Sequence, residues 1–91
     1  MLIFYGNNLT IKNNVLKSII AGLSFKNTES VLFSENKILG NQKVTLLFEN
    51  AKNVVSKNNY YANVSYSSWS GSIFLINTNA DKIHFIDDTW K

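Results

Sequence analysis

Hydrophobic and polar positions alternate along most of this chain, with a single interruption. Leu2-Ile3-Phe4-Tyr5 reads as a short buried strand, closed by the turn residues Gly6-Asn7-Asn8. The period then changes. Ile11, Val15 and Ile19, and Leu16, Ile20 and Leu23, recur at three- and four-residue spacing, the stripe of an amphipathic helix. Thr10, Asn13 and Asn14 are each competent N-caps, and the pattern predicts a helix from near Asn13 to Leu23 or Ser24, with Gly22 in its last turn.

Beyond the helix the period returns to two. Ser30 to Ser34 predicts a strand and Glu35-Asn36-Lys37 a turn, with Ile38-Leu39 continuing the pairing before Gly40-Asn41. Lys43 to Glu49 places Val44, Leu46 and Phe48 on one face, whereas residues 50–57 fit either a helical turn or a bulged connection. Tyr60 to Trp69 predicts a long strand and Ser70-Gly71 a hairpin turn. Ser72 to Ile76 is apolar on both faces and Lys82 to Ile86 pairs back. No internal repeat is apparent. The expected fold is therefore α+β: an antiparallel sheet of about five to six strands, ending in a C-terminal meander, with one N-terminal helix packed on one face. The other face is left for solvent or for a partner.

Size and composition place these elements in one domain spanning residues 1–91, since two cores would each be too small to bury their own surface. Apolar residues are 45% and charged residues 16% of the chain, on the globular side of the boundary with disorder. Without cysteine there is neither a disulfide framework nor a thiolate metal site. The start lacks a basic segment and a long apolar core, and no apolar run approaches the ~20 residues of a membrane-spanning helix, so a cytoplasmic location is expected. Asn is the outlier at fourteen residues, clustered between apolar runs where its tolerance of turn conformations is useful.

The net charge of +3 comes from nine lysines with no arginine, spread singly along the chain. Lysine supplies a flexible point charge, not the bidentate fork that grips phosphates and guanine edges. Tyr60, Tyr61, Tyr66 and Trp69 suggest a base-stacking sheet, and a small single-stranded nucleic-acid-binding domain is the alternative reading. However, Tyr60 to Ser72 contains no lysine.

Catalytic chemistry has little to draw on. His84 is the sole histidine, with Ser68, Ser70, Asp81, Asp87 and Asp88 as conceivable partners, but no Gly-x-Ser-x-Gly elbow occurs. Asp87 and Asp88 are adjacent and, on a strand, would point to opposite faces, which disfavours a metal site with His84. Neither phosphate-binding glycine motif is present. No cofactor, metal or enzymatic activity is expected. Protein binding remains. Tyr61 and Trp69 share a strand face with small polar residues, and Asp87, Asp88 and Trp90 lie in a tail able to dock, so these five are the candidate partner-binding residues. In general character (small, motif-poor, without cysteine) the chain resembles the bacterial immunity proteins, although no alignable stretch carries the likeness. The resemblance implies an antitoxin-type inhibitor that neutralises a toxin by direct binding, and a homodimer is equally compatible with an exposed sheet. Inhibitors of basic nucleases tend to be acidic, so a charge of +3 implies a neutral or acidic toxin.

Overall fold

A computed structural model describes residues 2–19, 22–65 and 75–91. The strands are β1 (Leu2–Lys12), β2 (Val15–Ile19), β3 (Gly22–Ser34), β4 (Lys37–Lys57), β5 (Tyr60–Ser65), β6 (Leu75–Thr78), β7 (Asp81–Ile86) and β8 (Thr89–Trp90). The expected α+β fold is overturned on both counts. No helix occurs among the described residues, and every pairing between strands is parallel.

Successive turns of the chain lie on one another. β1 pairs with β3, β3 with β4, and β4 with both β6 and β7; alongside, β2 pairs with β4, β4 with β5, and β5 with β8. The long β4 belongs to both stacks, which makes them two walls of one winding. Leu2 lies beside Leu23, Leu23 beside Leu46, and Leu46 beside Leu75. The described residues thus form a β-solenoid of four coils, whose spacing along the chain grows from 21 residues to 23 and then 29. This is the internal repeat that the sequence did not reveal. Its traces are Leu-x-Phe at Leu2, Leu23 and Leu46, and the paired polar residues 13–14, 35–36, 58–59 and 87–88.

The corners explain both the asparagines and the false helix. Eleven described non-glycine residues have positive φ, and seven of these are Asn, the residue other than glycine that enters the left-handed region most readily. They stack in columns: Asn8, Ser30, Asn53 and Lys82 at one corner; Asn27, Asn50 and Asn79 at another; Asn13, Glu35, Asn58 and Asp87 at the third. In the segment expected to be helical, the corner at Asn13 (φ 60°) resets the alternation. Ile11 and Leu16 then pack on the core while Val15 points outward, 55% exposed. Two short strands meeting at such a corner reproduce helical spacing without a helix.

The interior is a set of stacked side-chain columns. Phe4, Phe25 and Phe48 lie 5.3 and 5.2 Å apart in successive coils, the second pair stacked with nearly parallel rings. Ile38, Tyr61 and Trp90 form a second column, with Tyr61 and Trp90 stacked at 4.4 Å and Phe33 of the neighbouring column 6.4 Å from Tyr61. Among the described residues all ten fully buried apolar side chains fall between Leu23 and Tyr61, in the two middle coils.

Candidate functional site

One wall of the core is polar, and it contains two of the five residues singled out from the sequence or their direct partners. At the third corner each coil turns a side chain inward: Asn14, Asn36, Asn59 and Asp88. Asn36 Oδ1 accepts from the Asn14 backbone N–H (2.9 Å) and from Asn14 Nδ2 (3.1 Å). Asn59 Oδ1 accepts the same pair from Asn36 (2.9 and 3.1 Å), and Asp88 Oδ1 from Asn59 (2.8 and 3.0 Å). The amide groups also donate to the preceding coil, Asn36 Nδ2 to Ile11 O and Asn59 Nδ2 to Phe33 O. The ladder has a direction, since every coil donates to the next.

Asp88 ends this run inside the wall. Its Oδ2 accepts from Ser56 Oγ at 2.8 Å, and Ser56 Oγ lies 2.7 Å from Tyr61 Oη. With the serine proton directed to the carboxylate, the Tyr61 hydroxyl donates to Ser56, whose second lone pair takes Asn59 Nδ2 at 2.9 Å. Burial pushes the Tyr61 phenol well above its ordinary pKa; the Ser56 bond acts in the opposite direction, and the Asp88 charge adds to the rise. Ser56 and Tyr61 are buried at 2% and 1% exposure, Asp88 is half-buried, and all three are hydrogen-bonded, so the cluster serves as a structural brace.

The expected contact residues are thereby dispersed. Tyr61, expected on an exposed face, is buried at 1% exposure, which takes it out of any base-stacking surface. Trp90 covers it and is half-buried, Asp88 is tied into the ladder, and Asp87 is an exposed corner residue with φ 55°. Trp69 lies outside the described residues. His84 is exposed on the outer wall beside Val55, away from the inward Asp88. No group of three metal-ligating side chains occurs among the described residues. Sequence reasoning missed Asn14, Asn36, Asn59 and Ser56. The 22- and 23-residue intervals between the three asparagines were the available signal.

The surface that remains is the pair of solenoid ends. Among the described residues nine apolar side chains pack against the core while staying half-buried, and all nine belong to the first coil (coil 1, described over residues 2–19) or the last (coil 4, residues 75–91). Leu9, Ile11 and Leu16 lie at one end, Ile83, Phe85 and Trp90 at the other. Over them run strands that, among the described residues, pair with another strand on one side: β1 and β2 at the first end, β6, β7 and β8 at the last. Such edges carry backbone donors and acceptors arranged to receive another strand. Comparison with known protein families finds no matching family model, and no curated protein matches the chain in sequence.

Proposed function

We propose that this chain is a non-enzymatic protein-binding module that engages its partner through the strand edges and half-buried side chains at the ends of the solenoid. The observation that carries the reading is that, among the described residues, every half-buried side chain packed on the core lies in the two end coils, beneath strands that pair with a described strand on one side. Strand addition there would complete backbone hydrogen bonds and cover apolar area in the same step. A bacterial immunity or antitoxin-type inhibitor, acting in the cytoplasm on a toxin domain, is the biological form we favour, on the likeness in character drawn from the sequence.

The test uses a substitution that blocks an edge without disturbing the interior. Lys37 N–H donates to Asn14 O, so by the repeat the equivalent Val15 N–H points away from the solenoid. Val15→Pro removes that donor from an edge position where proline is tolerated. Capture from host lysate is then compared for wild type, Val15→Pro and the outer-wall control Tyr60→Ser. Loss of a stoichiometric partner with Val15→Pro alone is expected. A partner lost with Tyr60→Ser but kept by Val15→Pro would move the site to the outer wall and overturn the reading.

A further inference from the structure

Resting on that reading, we infer that the partner fitted by these ends is a second copy of the same chain, stacked head to tail so that coil 4 of one molecule becomes the rung preceding coil 1 of the next. Three features lead to this occupant. The first is the direction of the polar ladder. Each coil donates its backbone N–H and side-chain amide to the Oδ1 of the next coil, and Asn14 Oδ1, at the receiving end, accepts no hydrogen bond from any described residue. The two ends are therefore different and complementary: coil 4 presents donors, coil 1 presents an acceptor.

The second feature is the backbone pattern repeated at each junction. Asn13, Glu35 and Asn58 donate N–H to Ser34, Lys57 and Ile86 of the next coil, while Lys37, Tyr60 and Thr89 donate back to Asn14, Asn36 and Asn59. Continuing it by one coil joins Asp87 N–H to Lys12 O, Asp88 N–H to Asn14 Oδ1, and Val15 N–H to Asp88 O across the two molecules. The same register sets Ile83 on Leu9, Phe85 on Ile11 and Trp90 on Leu16, so half-buried apolar side chains meet in these three columns, while Asn77 falls in register with Phe4. The third is charge. Residues 2–19 carry Lys12 and Lys17 with no acid, whereas residues 75–91 carry Asp81, Asp87 and Asp88 against Lys82 and Lys91, so +2 meets −1.

One rung of this junction is imperfect. Asp88 has no amide to donate, and its carboxylate would face Asn14 Oδ1 with one hydrogen bond fewer than the internal rungs. The geometry therefore makes Asp88 a brake on stacking. A head-to-tail contact is heterologous and does not close, so the expected product is a concentration-dependent series of oligomers in place of a discrete dimer.

Cysteine cross-linking tests the arrangement in a chain that has no cysteine of its own. Thr10 and His84 occupy one outward column, three rungs apart within a molecule, roughly 14 Å at about 4.8 Å per rung and beyond disulfide reach. Across the proposed junction they become neighbours. Mixing Thr10→Cys chains with His84→Cys chains under mild oxidation is expected to give mixed disulfide dimers in excess of either self-pair, and the double variant a ladder of oligomers. In sedimentation velocity, Val15→Pro is expected to weaken association by about tenfold or more, the value of one hydrogen bond of about 1.4 kcal/mol, and Asp88→Asn to strengthen it. A wild-type chain that stays monomeric into the millimolar range, or Thr10→Cys chains that pair with themselves, would overturn the inference. A monomer that still loses a different protein partner on Val15→Pro would overturn it while supporting the proposed function. Self-association indifferent to Val15→Pro would count against both.

Discussion

Asn59 shows how much a single polar residue does in this interior. It accepts two bonds from Asn36 and donates to Phe33 O, Ser56 Oγ and Asp88, all at 2.7–3.1 Å. Asn59→Ala strands the Phe33 carbonyl and the Asn36 N–H in the core, and a loss of about 3–5 kcal/mol is expected from urea denaturation. Asn50 is the contrast. It bonds Asn27 and Asn79 on the exposed corner, its φ of 48° suits glycine, and Asn50→Gly is expected to shift stability by less than about 1 kcal/mol. Tyr61 gives the pH dependence. Its folded pKa is raised, so its contribution is complete below the unfolded value near 10 and declines as pH rises beyond it. Thermal melts should show the wild-type midpoint falling above about pH 10, and Tyr61→Phe, less stable by about 1 kcal/mol at neutral pH, falling less steeply there.

At the scale of the element, the unit of this fold is the corner, whose requirement is a left-handed backbone at the same place in every coil. Asn meets it at seven positions, but Glu35 and Lys82 adopt φ of 55° with side chains that gain nothing from it. Glu35→Asn is expected to stabilise by about 0.5–1 kcal/mol, read as a higher denaturation midpoint at unchanged slope. The same element explains a specific misreading. A strand, a corner and a second strand over Ile11, Val15, Leu16 and Ile19 imitate a helical stripe, because the corner adds the residues needed to shift the period from two toward four. Turn chemistry is equally ambiguous: asparagine with positive φ serves a hairpin and a solenoid corner alike, so alternating strands punctuated by Asn led naturally to an antiparallel meander.

For the whole molecule, stability is carried by coil-on-coil contact and is consequently uneven along the axis. Among the described residues the middle coils hold all ten fully buried apolar side chains, whereas the apolar side chains that pack on this core from the end coils are half-buried. Native-state amide exchange should therefore be slowest in β3 and in the Leu46–Lys57 part of β4, and faster in β1 and β8 by a margin that shrinks as protein concentration promotes stacking. Equal protection along the axis in dilute solution would contradict this description. What the sequence determined by itself was local: strands at Leu2–Tyr5, Val31–Phe33 and Lys43–Glu49, the inward side of Leu46 and Phe48, and asparagine as the residue of the turns. Only the tertiary structure decided that the strands run parallel, that Tyr61 faces inward, and that Asn14, Asn36, Asn59 and Asp88 share one ladder. Alternation reports which residues share a face, but it is identical for parallel and antiparallel neighbours. Which face becomes interior is set by the coil above and the coil below, some 21 to 29 residues away along the chain.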